Sequence, residues 1–193
     1  MKSLKIVLAD DESLIRMDIR EMLLDAGHEV VGEASNGQEA VELVRALKPD
    51  CVIMDVKMPV MDGLKAAEII GKEELAPVLL LTAYSQEDIV AKAKSAGVIG
   101  YLVKPIREEQ LFPEMEIAVS RFAEFKQLNL DLENLKDNLE TRKLVERAKG
   151  ILMTVHKMTE QEAYRTMQQF SMSKRISLKE LATTIIANAE KRK

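Results

Sequence analysis

The chain has 193 residues, a length that allows one or two domains. Hydrophobic residues make up 47% of it and charged residues 31%, an ordinary composition for a soluble globular protein. No apolar run approaches the roughly 20 residues of a membrane-spanning helix, and no signal pattern precedes the first helix, so we expect a cytoplasmic protein without a membrane partner. The single cysteine, Cys51, lies in an apolar run, which excludes an internal disulfide and predicts a small buried side chain.

The net charge of −4 conceals two oppositely charged parts of the chain. Residues 141–193 contain 12 Lys and Arg but 5 Asp and Glu, a net charge of +7. Residues 1–140 contain 16 basic and 27 acidic side chains, a net charge of −11. This asymmetry indicates two modules, of which the second faces a polyanion. The alternative is a solvated surface that happens to be basic.

Over the first 120 residues, short apolar runs alternate with stretches of helical spacing. The predicted strands cover residues 4–9, 29–34, 51–55, 77–81 and 98–103. The predicted helices run from an N-cap at Ser13 to Gly27, from after a turn at Asn36-Gly37 to Leu47, from Asp62-Gly63 to Gly71, and over residues 85–96. The alternation predicts an α/β fold, with a five-stranded parallel sheet in the flavodoxin-like order 2-1-3-4-5.

From about residue 107 the pattern is wholly helical. Five apolar residues form a seam two heptads long, with alternating spacings of three and four residues: Phe125, Leu128, Leu132, Leu135 and Leu139. We therefore predict a coiled-coil-like helical linker over residues 121–140. The alternative is one long helix that packs on its own domain.

The C-terminal segment predicts an all-α, three-helix domain. A helix over residues 144–155 is followed by two helices that begin with capping boxes, Thr159 with Glu162 and Ser177 with Glu180. Tyr164 and Phe170 fall on the apolar face of the second helix, and we expect them to be core residues, with Tyr164 half exposed. The predicted domains are therefore residues 1–120, the linker 121–140, and residues 141–193.

Polar side chains collect where the predicted parallel strands end. Asp10 and Asp11 follow the first strand, Asp55 ends the third, and Thr82 and Lys104 follow the fourth and fifth. Three converging carboxylates repel one another unless a cation neutralises them, and oxygen ligands favour Mg²⁺ over Ca²⁺. The hydroxyl and the ammonium group suit the oxygens of a phosphate. Asp55, alone on its strand end, is the best candidate for a nucleophile that forms an aspartyl-phosphate.

These residues resemble the receiver domain of two-component response regulators over about residues 3–120. The shared motifs are the acidic pair, Asp55 with Met58-Pro59 after it, Asp62-Gly63, Thr82-Ala83 and Lys104-Pro105. The resemblance implies that Asp55 takes a phosphoryl group from a histidine kinase.

The same resemblance implies a role for each neighbour of Asp55. Mg²⁺ is held by Asp55, by the backbone carbonyl of Lys57, and by one of the paired aspartates, Asp10 or Asp11, chiefly Asp11. Thr82 and Lys104 bind the phosphoryl oxygens, and Tyr101 is an aromatic switch that turns inward with Thr82. Asp62 is better explained as the N-cap of the next helix.

A competing interpretation is a phosphatase with an aspartyl intermediate, of the haloacid dehalogenase type. Such enzymes have Asp-x-Asp-x-Thr at the nucleophile, whereas the second position after Asp55 is Lys57. The general acid is missing, so we expect a regulator without catalytic residues rather than an enzyme.

The C-terminal segment resembles the ANTAR domain, a three-helix RNA-binding module of transcription antiterminators, over about residues 135–190. The motifs that carry the resemblance are residues 142–153 (RKLVERAKGILM), 162–164 and 181–182. The resemblance implies binding of RNA hairpins in leader transcripts, and a homodimer that phosphorylation promotes. A receiver, a coiled-coil helix and an ANTAR domain together form the layout of the ethanolamine-utilisation type of antiterminator.

Nine basic residues are candidates for RNA contacts: Arg142, Lys143, Arg147, Lys149, Lys157, Arg165, Lys174, Arg175 and Lys179. Gly150 either permits close packing of another helix or close approach of RNA. The alternative functions are a DNA-binding response regulator with a helix-turn-helix output and a protein-interaction regulator.

Overall fold

The computed structural model describes residues 3–83 and 100–190, in two compact units, Met1–Gln127 and Leu128–Lys193. The first unit contains one parallel sheet in the order β2-β1-β3-β4-β5, which confirms the predicted flavodoxin-like order. Its strands are β1 (Lys5–Ala9), β2 (Glu29–Ala34), β3 (Cys51–Asp55), β4 (Val78–Thr82) and β5 (Gly100–Val103).

Three helices connect these strands within the described residues: α1 (Ser13–Asp25), α2 (Gly37–Leu47) and α3 (Gly63–Lys72). The predicted helix over residues 85–96 lies outside the described residues. Asp62 is confirmed as an N-cap, since its side chain accepts a hydrogen bond from the backbone N–H of Lys65. Asn36, which was predicted to lie in a turn, caps α2 in the same way by accepting from the N–H of Glu39. The prediction that Ser13 is the N-cap of α1 was wrong. Ser13 is the first helical residue and Glu12 is the N-cap, because the chain already turns at Glu12, whose N–H donates to the carboxylate of Asp10.

Both faces of the central strands β1, β3 and β4 are buried, which explains why these strands are nearly continuous apolar runs. Successive residues point to opposite faces, so Val7 and Met54 contribute to one core cluster with α2 and α3. Ile6 and Ile53 contribute to the other cluster, with α1 and the residues that follow β5. The tips of the central strands are thereby held rigidly in register.

A single helix, α4 (Glu108–His156), follows the sheet and confirms the wholly helical pattern. The predicted linker over 121–140 and the predicted helix over 144–155 are both parts of it. The five seam residues, from Phe125 to Leu139, are 48–66% exposed in the single chain. Among the described residues, no helix has both the length and the apolar character that crossing a membrane requires.

The second unit contains the end of α4, α5 (Glu160–Lys174) and α6 (Leu178–Glu190). Its core is formed chiefly by Val145, Ala148, Met167, Leu181 and Ile186. Both predicted capping boxes are present.

The assignment of Phe170 to this core needs correction, whereas Tyr164 has about the exposure that was expected. Phe170 is 48% exposed, because the smaller Ala163 and Met167 already fill the buried stripe of α5. Tyr164 is 39% exposed and contributes only part of its ring to the interior.

Candidate phosphoacceptor site and nucleic-acid interface

The carboxyl ends of β1, β3 and β4 bring Asp10, Asp55 and Thr82 to one edge of the sheet, as predicted from their positions. A cavity of about 270 Å³ opens there. It is lined by Asp11, Glu12, Asp55, Val56, Lys57, Thr82, Ala83 and Lys104. Asp10 lies behind the cavity and is fully buried.

Lys104 connects the two buried carboxylates. Its Nζ lies 2.8 Å from Asp10 Oδ2 and 2.8 Å from Asp55 Oδ1. A more exposed carboxylate, that of Glu12, lies 3.6 Å away. Without this ammonium group, Asp10 and Asp55 would repel each other in a poorly solvated site, so Lys104 makes their burial possible.

The pKa values of the site show competing effects. Burial raises the pKa of Asp55, and the hydrogen bond and charge of Lys104 oppose that rise. Burial also disfavours the charged form of Lys104, but its hydrogen bonds to Asp10 and Asp55 outweigh this effect and raise its pKa above the ordinary value. Lys104 therefore stays cationic at neutral pH and remains available to attract an anion.

The loop after β3 folds back onto Asp55. The backbone N–H of Lys57 donates to Asp55 Oδ2 over 2.7 Å, which fixes the carboxylate. The N–H of Gly63 then donates to the carbonyl of Val56 over 2.9 Å and begins α3 beside the site. Val60, between them, has a φ of 65°, a conformation that β-branched residues rarely adopt. The sequence motifs did not reveal this strained backbone next to Asp55.

The donors at this edge fit a hard divalent cation. Asp11 is exposed and lines the cavity with Asp55 and Lys57, whereas Asp10 is occupied by Lys104 and the N–H of Glu12. This difference favours Asp11 over Asp10 as the second carboxylate ligand. In residues 3–83 and 100–190, no group of three or more His, Cys, Asp or Glu side chains could hold a metal by itself. A Mg²⁺ ion does not need one, since it keeps several waters and binds through one or two carboxylates.

The two predicted switch residues differ in exposure. Thr82 ends β4 and is buried at 3% exposure. Tyr101, on the edge strand β5, is 42% exposed, so its ring points outward here.

The nine basic residues proposed for RNA contacts fall into two groups. Three are held by carboxylates of the second unit: Arg147 by Glu190 at 2.8 Å, Lys149 by Glu146 and Glu160 at 2.8 and 2.7 Å, and Lys179 by Asp137 and Glu140 at 2.6 Å each. Lys149 is also 7% exposed, which leaves it little access to a nucleic acid.

The other six are exposed and form no ion pair with any residue that the structure describes. They are Arg142, Lys143, Lys157, Arg165, Lys174 and Arg175. These six side chains are the better candidates for phosphate contacts, because no bound carboxylate has to be displaced first. A charge count along the sequence does not separate the two groups.

Comparison with known proteins identifies both units. The family model of the response regulator receiver domain matches residues 6–116, and the ANTAR domain model matches residues 133–186. The transcriptional regulatory protein PdtaR of Mycobacterium tuberculosis is 50% identical over 182 residues, 94% of this chain and 89% of PdtaR. The chemotaxis protein CheY of Thermotoga maritima is 38% identical over 108 residues, 55% of this chain and 90% of CheY.

Solved structures resemble the first unit. The signal receiver domain of the response regulator NarL from Mycobacterium tuberculosis has a TM-score of 0.56 and 31% identity, and covers 64% of this chain and 98% of its own. The response regulator domain of Thermotoga maritima CheB has a TM-score of 0.57 and 27% identity, with coverage of 62% and 98%.

Proposed function

Because the chain belongs to the response regulators, with a receiver domain followed by an ANTAR domain, we propose that it is a phosphorylation-controlled antiterminator. In this proposal it takes a phosphoryl group from a histidine kinase at Asp55 and binds RNA hairpins in leader transcripts in the cytoplasm. It acts as a regulator rather than as an enzyme. The observation that carries the first part is the Lys104 ammonium group between Asp10 and Asp55, beside a cavity at the end of β3.

The chemistry at Asp55 follows from this geometry. An oxygen of the Asp55 carboxylate forms a bond to phosphorus, and the bond between phosphorus and the kinase imidazole nitrogen breaks. Lys104 then pairs with the new phosphoryl oxygens in place of the carboxylate, and the Thr82 hydroxyl lies at the same cavity. Mg²⁺, held by Asp11, Asp55 and the carbonyl of Lys57, would supply further positive charge to those oxygens when bound.

The RNA-binding part of the proposal rests on charge and exposure in the second unit. Residues 141–193 carry a net charge of +7, and six of the basic residues there are exposed without an ion pair to any described residue. Such side chains neutralise backbone phosphates, so binding weakens as the salt concentration rises.

Control by phosphorylation requires a link between the acceptor and the output. The exposed apolar seam from Phe125 to Leu139 supplies a surface for a second copy of the chain. In the proposed mechanism, phosphorylation acts through Thr82 and Tyr101 on the face around β4 and β5 and favours the homodimer. Two ANTAR domains then engage paired hairpins. Once one domain is bound, the second is held at a high effective concentration near its hairpin, so overall binding tightens without any new contact.

The deciding experiment measures binding of the full chain to a tandem-hairpin leader RNA and to duplex DNA at one salt concentration, with and without acetyl phosphate and Mg²⁺. We expect tighter RNA binding after phosphorylation and weak DNA binding. Asp55→Asn should remove both phosphoryl uptake and the gain in affinity. Asp62→Asn is the matched control, because Asn also caps a helix and should retain both properties.

Three results would contradict the proposal in different ways. Phosphoprotein that persists in Asp55→Asn would show that the acceptor is another residue. DNA binding tighter than RNA binding would place the protein among the transcription factors. A protein that binds neither nucleic acid in either state would be a regulator that acts on another protein.

A further inference from the structure

A cavity of about 460 Å³ lies in the second unit, apart from the phosphoacceptor site. It is bounded by α4 and by the first turns of α5 and α6. The lining residues that matter for its chemistry are Asn138, Arg142, Glu146, Lys149, Gln161 and Tyr164. Its volume is within the range of pockets that hold small organic groups.

One wall of this cavity is held in place by Lys149. The Nζ of Lys149 binds the carboxylates of Glu146 on α4 and Glu160 on α5, and lies 5.8 Å from the centre of the Tyr164 ring. The ammonium group is thus surrounded by two anions and an aromatic face, while part of the ring remains exposed. This cluster fixes Tyr164 before any ligand arrives, so little entropy is lost when a ligand stacks on the ring.

We propose that this cavity takes one unpaired base of an RNA loop, stacked on the ring of Tyr164. Two planar groups suited to stacking line the cavity, the phenol of Tyr164 and the guanidinium of Arg142. The amides of Asn138 and Gln161 provide donors and acceptors for the edge of the base. The inference rests on the proposed RNA-binding function and adds where, and through which contact, a base is recognised.

The charge beside the cavity supports a nucleotide at this place. The N-terminal ends of α5 and α6 are already capped by the carboxylates of Glu162 and Glu180, so the positive charge for the phosphate groups of a bound nucleotide comes from Arg142. Arg142, exposed at the cavity, adds a full positive charge.

A larger cavity of the same unit, about 650 Å³, lacks these properties. It lies at the C-terminal ends of α4 and α6, where the helix dipoles disfavour phosphate. Its lining is dominated by aliphatic side chains such as Ile151, Val155 and Ile185. The Tyr164 cavity is therefore the better site for a nucleotide.

The test uses hairpin RNAs that the phosphorylated full chain selects from a pool with a fixed stem and a randomised loop. Each loop position is then replaced in turn by an abasic nucleotide. We expect one abasic position to weaken binding to the wild-type chain about tenfold, and Tyr164→Ala to weaken binding to the intact RNA by a similar factor. The two changes together should cost about tenfold, and not the product of the two factors, because they remove the same stacking contact.

Three further variants separate stacking from folding. Tyr164→Phe keeps the ring and should bind like the wild type, whereas Tyr164→Leu keeps apolar bulk and should bind as weakly as Tyr164→Ala. Gln169→Ala, on the exposed side of α5 and away from the cavity, is the matched control. Thermal unfolding checks that Tyr164→Leu is folded.

The inference fails if the penalties of Tyr164→Ala and of every abasic position multiply, or if Tyr164→Leu binds as tightly as Tyr164→Phe. The four free ribonucleoside monophosphates are also titrated against the wild-type chain. The inference fails if any of them binds with submillimolar affinity, since the cavity would then serve a small molecule. Failure of the proposed function looks different: the wild-type chain would select no RNA from the pool.

Discussion

Gly63 packs directly against the backbone of Asp55, such that a Cβ on Gly63 would lie 2.0 Å from the Asp55 carbonyl oxygen. No real Cβ atom comes so close to a backbone oxygen, and the backbone cannot yield as a flexible side chain can. The first residue of α3 thus touches the last residue of β3, and the loop between them closes over Asp55, the proposed phosphoacceptor. Absence of a side chain at position 63 is a condition for this closure.

Gly63→Ala should therefore damage the receiver domain in two ways. We expect a loss of about 1–3 kcal/mol in the free energy of unfolding, because the added methyl group forces the backbone apart. We also expect slower phosphoryl uptake from acetyl phosphate, because Asp55 is displaced. Urea unfolding and a phosphorylation time course measure the two effects. An unchanged stability would show that α3 can move away freely.

Gly150→Ala is the opposite case. A Cβ at this exposed position of α4 would meet no atom within 4 Å, so the structure gives no packing reason for the glycine. Alanine should stabilise the helix by about 1 kcal/mol, since glycine is the poorer helix former. The same urea experiment measures it. A destabilised variant would reveal a constraint on the backbone at position 150.

Cys51 should be inert in the folded protein. It is fully buried in β3, and burial raises the pKa of its thiol to about 12, so the reactive thiolate is nearly absent at neutral pH. Iodoacetamide should leave the native chain unlabelled and label it fully in denaturing urea, as mass spectrometry can show. Rapid labelling without urea would mean that β3 is accessible.

His28 should make the stability of the receiver domain depend on pH. His28 is only 6% exposed. Its Nδ1 accepts a hydrogen bond from the backbone N–H of Leu4, and its ring packs on Phe112 of α4. Burial lowers its pKa below the ordinary 6.5, although Glu116 opposes this shift. When the pH falls below 6.5, the unfolded chain takes up a proton that the folded chain still refuses, so the free energy of unfolding decreases until the folded pKa is reached.

Urea unfolding at about pH 7.5 and about pH 5.5 gives the loss in the free energy of unfolding on acidification for the wild type and two variants. His28→Gln, which keeps an acceptor for Leu4, should lose less stability on acidification than the wild type. His156→Gln removes an exposed histidine and should behave like the wild type. Equal losses in all three chains would show that carboxylates alone control the pH dependence.

Leu132→Lys should weaken the proposed homodimer. This residue is half-exposed in the single chain and lies in the middle of the seam, so a second copy would bury it. We expect dimer affinity to fall about tenfold or more, because a buried leucine is replaced by a charge. Leu130→Lys changes an equally exposed leucine outside the seam and should leave the dimer intact. Sedimentation after treatment with acetyl phosphate measures both, and equal loss in both variants would contradict the seam.

Periodicity and strand-end chemistry were sufficient to predict the receiver fold. Apolar runs that end in Asp10, Asp55 and Thr82 predict parallel strands with their tips at one edge, and the sheet has the predicted order. The Asp62 cap was also predictable, because a cap is a contact between neighbours in sequence.

Contacts between distant residues were not predictable in this way. Nothing local in the sequence shows that Lys149 is enclosed by Glu146, Glu160 and Tyr164, since Glu160 comes from the next helix. The strand ends predicted that Lys104 and Asp10 lie at one edge of the sheet, but not that their side chains form an ion pair across 94 residues of chain. Charge can be counted from a sequence, but which charges are already neutralised depends on the packing of helices. The same holds for Phe170, whose apolar character suggested a core position that smaller residues occupy.

The exposed seam of α4 has a consequence for how the cell would tune this regulator. Two heptads bury too little surface to hold two chains together at low concentration. While most chains are single, the number of pairs rises with the square of the number of chains, so a doubled expression level would give about four times as many pairs. In the proposed mechanism, gene dosage and translation rate would then set the sensitivity of the response, alongside the signal from the proposed kinase.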